Sequence, residues 1–409
     1  MHFVALNQFY SPDTAPTGRH LADLAQTLVA RGHRVSVVAS RRSYGGDGQY
    51  AADEERDGVR IHRLPTLAHG RQREGRLGSW LGFHAAALAY LSTRRLGADL
   101  LLSMTTPPWL GLTAALRGRL SRTPVAHWVM DLYPDVLVAH GLVSSGGLVA
   151  RLLAGLTRVS LRQSRLVLTL GPFMHAVAER YVAPGATTAW VPLWGRDVER
   201  PAPPETVARL RKERGWGDRD VVFLYSGNMG LGHRLEEFVE AARLADPPEA
   251  RWCFLGGGVR RAEVEAVVRP GVSARVELRP YATEADLGAS LAAADVHLVS
   301  LRREWQGLIV PSKLQAAFSV GRPVVFVGPE ANEPAEWIRE SGGGWRAGEG
   351  QVGALMEAVR EACRAEPRAA RGARALAFAS ERFSRRRNCA RIAELLEAAA
   401  VYNPPREAD

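Results

Sequence analysis

The chain has 409 residues and a formal net charge of +10, with 53 lysines and arginines against 43 acidic side chains. Its length suits two domains, and the absence of low-complexity tracts or apolar runs of bilayer-spanning length excludes disordered, fibrous and membrane-spanning classes. The arginine excess keeps nucleic acid, an anionic membrane and phosphorylated substrates open as partners.

The opening MHFVALNQFY has no basic n-region of a secretory signal. Cys253, Cys363 and Cys389 have neither metal-ligand spacing nor an even count. A cytoplasmic, reducing compartment is therefore the expectation, with the thiols as small buried apolar groups.

In chain order, HFVALNQF reads as a strand. In TGRHLADLAQTLVARGH, Leu21, Leu24, Ala25, Leu28 and Val29 fall on one helix face, Gly32 suits the C-terminal cap, and RVSVVAS follows as a β-branched strand. Further strands are predicted at ADLLLSM, TPVAHWVMD, SRLVLTLG and TTAWVPL, with helical patterns between them. Continuous apolar strands alternating with helices imply a parallel sheet covered on both faces.

A proline-rich linker is predicted around residues 195–206, after which the pattern begins again. Strands DVVFLYSG, RWCFLGGG, ARVELRP, DVHLVSL and RPVVFVG alternate with helices such as HRLEEFVEAARLA. The expectation is two doubly wound α/β domains, 1–195 and 206–384, facing a cleft, with a C-terminal helix over 385–409 that returns to the first domain.

Familiar motifs are missing. NQFYSPDTAPTG after the first strand fails the dinucleotide fingerprint, GGGVRR has Arg261 where a third glycine belongs, and no Walker loop, G-x-S-x-G elbow or H-E-x-x-H occurs. Two stretches hold more interest. In YSGNMGLGH, Gly227, Gly230 and Gly232 separate a strand from a helix, a pattern open to two readings: a turn needing positive φ, or a loop whose amides approach phosphate. In GLIVPSKLQAAFSVGRPVV, Pro311 suits a first helical turn and Lys313 sits where the helix dipole disfavours a cation. A bound diphosphate would relieve that conflict; a solvated lysine is the simpler alternative.

Taken together, NQFYSPDTAPTG, WVMDLYPD, YSGNMGLGH, GLIVPSK and GRPVV resemble, in order and spacing, the family-four retaining glycosyltransferases of the GT-B fold. More narrowly they resemble the branch serving colanic-acid, capsule and O-antigen assembly. The resemblance implies two Rossmann-like domains and transfer of a sugar, of hexosyl or N-acetylhexosaminyl type, from a nucleotide-sugar, UDP-linked by preference. The acceptor would be a lipid-linked saccharide, the anomeric configuration would be retained, and neither a cofactor nor a metal would be required. It places Gly18, Gly227, Asn228, Gly230, Tyr281, Leu308, Ile309, Ser312 and Lys313 around the donor, the amides of Leu308 and Ile309 touching phosphate. Asp131 would meet the acceptor or a donor hydroxyl, a capping carboxylate in the DLYPD turn being the other reading. His127 reads as packed. The chain departs from the family at Leu308 and Ala316, where two glutamates are usual, and at Met130, where a histidine is common; Glu304 lies nearby without an assigned role. Transfer to a soluble acceptor and a nucleotide-sugar 2-epimerase are the alternatives. Nucleic-acid binding is not expected, because the arginines are scattered and no nucleic-acid module is present.

Residues 71–95, RQREGRLGSWLGFHAAALAYLSTRR, join arginines to Trp80, Leu81, Phe83, Leu88 and Tyr90. Peripheral contact with an anionic membrane predicts an exposed patch here, whereas a core helix predicts buried Trp80 and Phe83. The expected location is cytoplasmic, with such a contact on the inner face of the membrane.

Overall fold

The computed structural model describes residues 1–44, 48–67, 73–94, 96–195, 202–244, 246–266, 268, 275–283 and 285–401. They form two units, 1–191 with 386–409, and 192–385.

In the first unit the strands are β1 (His2–Leu6), β2 (Arg34–Ser40), β3 (Asp53–Arg56), β4 (Val59–Leu64), β5 (Leu100–Met104), β6 (Val125–Trp128), β7 (Leu166–Thr169) and β8 (Thr187–Trp190). Between them run α1 (Pro16–Ala30), α2 (Arg73–Thr93), α3 (Leu110–Ser121), α4 (Asp135–Ala139), α5 (Leu148–Arg162) and α6 (Pro172–Ala178). The sheet order is β3-β4-β2-β1-β5-β6-β7-β8, parallel except for β3 against β4. β1, β5, β6 and β7 are buried along their whole length, as strands covered on both faces must be.

The second unit contains α7 (Pro204–Glu213), β9 (Val221–Ser226), α8 (Glu236–Leu244), β10 (Ala250–Leu255), α9 (Arg261–Glu265), β11 (Val276–Arg279) and α10 (Leu287–Ala293). It continues through β12 (Val296–Ser300), α11 (Lys313–Ser319), β13 (Val324–Val327), α12 (Glu333–Ser341), β14 (Gly344–Ala347), α13 (Val352–Cys363) and α14 (Ala365–Arg382). Its sheet is wholly parallel, in the order β11-β10-β9-β12-β13-β14. Phe223 stacks on Trp252 at 5.1 Å in a core that also holds Phe238 and Phe254. Burial of each such ring contributes about 1.5–3 kcal/mol.

The last helix, α15 (Arg385–Val401), runs almost wholly within the first unit. There Glu397 accepts two hydrogen bonds from Arg31, just past α1, each at 2.7 Å, and lies 2.7 Å from His33 Nε2.

Helix α1 buries Leu21, Leu24, Ala25 and Leu28, leaves Val29 half-buried, and is followed by Gly32 at φ +83°. Three strands lay outside the sequence reading. Edge strand β3 is DEER, with no apolar face. β4 alternates, and β14 is a short edge strand opening on glycine. Half of the proline-rich linker, 196–201, lies outside the described residues. So do 71, 72 and 95 of the basic apolar stretch. Within α2, Phe83 is buried and Trp80 half-buried, while Leu77, Leu81 and Leu88 are exposed. Phe83 and Leu91 thus face inward, and Leu77, Leu81 and Leu88 face outward.

Candidate active site

In the second sheet the strand order reverses between β9 and β12, and doubly wound sheets bind ligands outside such a reversal, at the carboxyl ends of the strands. The loop after β9 holds Gly227, Asn228, Gly230 and His233; the loop after β12 leads through Trp305 and Pro311 to Lys313 at the start of α11. Two stretches 80 residues apart are therefore brought together by topology.

The loops are tied at their base. Ser300 Oγ accepts from the Arg234 amide at 3.0 Å and donates to the Arg234 carbonyl at 2.6 Å. Gly232 has no room for a Cβ, which would lie 2.9 Å from the Trp305 ring and 3.2 Å from Ile309. The turns after β9 and after β10 interlock as well. Gly256 and Gly258 adopt φ of +131° and +135°, and a Cβ on Gly256 would lie 2.2 Å from the Gly227 carbonyl oxygen. Glycine is needed here for both backbone conformation and close approach. The Asn228 side chain fills the gap between Gly230 and Gly258. The exposed Tyr281 ring lies over Gly256 and Gly257 and donates from its hydroxyl to the Gly257 carbonyl at 3.2 Å.

Lys313 extends over Gly227, whose Cβ, if present, would meet Lys313 Cε at 3.3 Å. Its Nζ lies 3.0 Å from His233 Nε2, 3.4 Å from the Asn228 carbonyl oxygen and 5.0 Å from the centre of the Tyr225 ring. His233 Nδ1 sits 2.7 Å from the Ser300 carbonyl, to which it must donate; Nε2 is then the unprotonated acceptor for Lys313. Burial and the neighbouring lysine push the His233 pKa down to about 3, which keeps the ring neutral. Burial lowers Lys313 itself to about 7.

The surrounding cations are neutralised. Arg234 pairs with Glu237, Arg260 with Glu236 and Glu263, and Arg302 with Glu236. Among the described residues Lys313 has no carboxylate partner, only neutral acceptors and an aromatic face. A desolvated cation without a counter-ion is the arrangement an incoming anion completes.

These loops thus gather Gly227, Asn228, Gly230 and Lys313 in one place, with Tyr281 bordering them. Ser312 is exposed and its side chain caps nothing. The Leu308 amide donates to the Trp305 carbonyl at 3.0 Å and is engaged in the turn. The Ile309 amide has no backbone partner among the described residues. His233 went unassigned in the sequence, although it closes the quoted glycine loop; its proximity to Lys313 is visible only in three dimensions.

Gly18 and Asp131 belong to the first unit. Gly18 lies in the first turn of α1, where a Cβ would stand 2.7 Å from the Phe9 carbonyl oxygen, so close packing accounts for this glycine. Asp131 follows β6 and lines a cavity of about 20 Å³ with Thr105, Trp109, His127, Tyr133 and Ser160, room for one water. Its carboxyl caps nothing among the described residues, and burial raises its pKa to about 6. His127 is buried, held neutral by a pKa lowered to about 4, and its Nδ1 has no hydrogen-bond partner among the described residues.

Residues 17–194 match the family of glycosyl transferase 4-like domains. Two curated relatives align over most of the chain. A probable glycosyltransferase, WbjE of Pseudomonas aeruginosa, is 27% identical over 67% of this chain and 68% of its own. A putative colanic acid biosynthesis glycosyl transferase, WcaI of Escherichia coli K12, is 25% identical over 78% of this chain and 81% of its own. Solved structures share the fold across both units. WaaG, a glycosyltransferase involved in lipopolysaccharide biosynthesis, superposes with TM-score 0.69 at 17% identity, covering 97% of this chain and 99% of its own. Anabaena HepE in complex with UDP gives TM-score 0.70 at 16% identity, covering 97% and 100%.

The chain has the GT-B fold, and its relatives are glycosyltransferases.

The glycosyl transferase 4-like match covers most of the first unit, whereas Lys313, without a carboxylate partner among the described residues, lies in the second. Among the described residues no group of three or more histidine, cysteine, aspartate or glutamate side chains is placed to hold a metal ion.

Proposed function

We propose that the chain transfers a sugar from a nucleoside-diphosphate donor, UDP-linked, to a hydroxyl of a lipid-linked saccharide in cell-surface polysaccharide assembly. The transfer retains anomeric configuration and proceeds without a metal, at the cytoplasmic face of the membrane. The observation that carries this reading is Lys313, a desolvated cation without a carboxylate, poised over the Gly227 turn. The relatives named for colanic acid and lipopolysaccharide synthesis, and HepE bound to UDP, support the choice of acceptor and donor.

When the glycosidic bond to diphosphate breaks, negative charge grows on the leaving oxygens. Protonated Lys313 and the amides of the β9 loop and of Ile309 stabilise that charge more than they stabilise the ground state. The exposed Tyr281 face, beside the glycine turns, supplies a platform for the base. Retention follows if the acceptor hydroxyl attacks from the face that the diphosphate leaves, with a phosphate oxygen taking the hydroxyl proton. No separate base is then needed. Asp131 and Gly18 are assigned to the acceptor and the donor phosphate, and Asp131→Asn tests the first of these.

The test is incubation with UDP- and GDP-sugars and a polyprenyl-diphosphate saccharide, with and without a chelator. Nucleoside diphosphate release is followed, and the product's anomeric configuration is read by NMR. Chelator-insensitive release from a UDP-sugar with retention is expected. Loss of activity with chelator, an inverted product, or turnover only with a soluble acceptor would each overturn a stated part.

A further inference from the structure

Helices α2, α3 and α5 connect strands that step in one direction across the first sheet, from β4 to β5, β6 and β7. Right-handed crossovers place all three in one layer, and α3 packs against both neighbours. On their inner sides α2 and α3 carry Phe83, Ala87, Leu110 and Ala114 into the core, and α5 buries Ala150 and Leu161. Their outer sides are apolar too. Leu81 and Leu88 are exposed on α2, Leu116 and Leu120 on α3, Leu148 and Leu152 on α5; Leu148 is 82% exposed and Leu120 70%. Each pair recurs at helical spacing, so the leucines form rows rather than scattered points. Helix α1, on the other side of the same sheet, exposes no large hydrophobic side chain.

The same layer is basic. Arg119, Arg151, Arg158 and Arg162 are exposed, and neither α3 nor α5 contains an aspartate or glutamate. None of these four arginines pairs with a carboxylate among the described residues; Arg151 reaches the Gly146 carbonyl and Arg158 lies over the Tyr181 ring. Leucine rows interleaved with unpaired arginines match a bilayer interface: apolar side chains enter the acyl boundary and guanidinium groups meet anionic headgroups. A second copy of the chain is disfavoured as occupant, because two-fold pairing would set this arginine-rich face, with no carboxylate on α3 or α5, against itself.

We propose that the outer face of α2, α3 and α5 is a docking surface for an anionic lipid bilayer. It widens the expected contact from residues 71–95 to a three-helix layer in which α5 has the most exposed leucine. The proposal stands apart from the donor reading and needs no nucleotide.

The test is flotation of the full chain with vesicles of phosphatidylcholine alone and of phosphatidylcholine mixed with phosphatidylglycerol. The wild type should float with the mixed vesicles only, and less so as salt is raised. The variants Leu148→Glu/Leu152→Glu and Arg119→Glu/Arg162→Glu, checked for wild-type circular dichroism and Tm, should each lose binding by about tenfold or more. Failure of the wild type to bind mixed vesicles overturns the proposal, as does undiminished binding by both variants. A wild-type dimer that the leucine variant converts to monomer, without vesicle binding, assigns the face to self-association instead. UDP binding by the wild type is unaffected by any of these results, so this inference and the donor reading fail separately.

Discussion

Lys313 Nζ stands 3.0 Å from His233 Nε2, and the histidine's other nitrogen is committed to the Ser300 carbonyl at 2.7 Å. One donor–acceptor chain therefore runs from a half-buried lysine to the end of β12 with no carboxylate in it. Ordinary structural lysines end on an acid or in water; this one ends on a neutral ring.

The pH dependence of donor binding follows. Burial holds the free Lys313 pKa at about 7, and a diphosphate beside it raises that value. Because the bound-state pKa is the higher one, the lysine's contribution is fully present below about 7 and is lost as pH rises through the pKa of the complex. On the alkaline side of neutrality UDP binding should take up a proton. Calorimetry in buffers of different ionisation enthalpy reads this directly, and zero uptake would contradict it.

Replacing His233 separates orientation from bulk. His233→Leu removes the acceptor facing the lysine and should weaken UDP binding by about 1–2 kcal/mol, the scale of one hydrogen bond to a charged group. His233→Gln keeps an acceptor and should recover much of the loss. Equal affinity in both variants would mean that the ring only fills space.

The glycine turns give a stability contrast. Gly256→Ala meets both a positive φ and a carbonyl at 2.2 Å, whereas a Cβ at Gly288, within α10, meets nothing within 4 Å. The first substitution should destabilise by about 1–3 kcal/mol or more. The second should stabilise by about 0.5–1 kcal/mol through helix propensity. Urea unfolding of both variants checks the pair, and similar effects would remove the close-approach argument.

Acid stability has a marker at the C-terminal helix. Hydrogen bonds from Arg31 and His33 lower the Glu397 pKa to about 2. For a depressed carboxylate the contribution is present above the unfolded value of about 4.3 and is lost as pH falls through the folded value. The Tm gap between wild type and Glu397→Gln should be constant above about pH 5 and close below it. A gap that persists at lower pH would show that the ion pair does not hold α15 to the first unit.

Much of the fold was legible because buried parallel strands are apolar throughout: HFVAL, LLLSM and VVFLYS announce themselves. DEER did not, since a polar edge strand carries only its partner's register. In the site, Pro-Ser-Lys and the glycine loop were legible as local chemistry at strand ends. The His233–Lys313 contact was not, because the spacing of either stretch says nothing of the other until β9 and β12 lie side by side. The partner of the Leu308 amide, the Trp305 carbonyl, was hidden for a similar reason: it belongs to a tight turn without side-chain signature. Phe83 and Leu81 are two residues apart in one basic apolar helix and face opposite ways, which composition cannot show.

The role proposed for Lys313 is to receive a diphosphate. Calorimetric titration of UDP, GDP and NAD into the wild type and Lys313→Ala tests it most directly. Micromolar binding of one nucleoside diphosphate, UDP, is expected, with no binding of NAD and a loss of about 1–3 kcal/mol in the variant, the scale of a charge-assisted contact. Absence of diphosphate binding, or equal affinity in the variant, would contradict it and leave the Pro-Ser-Lys turn as packing.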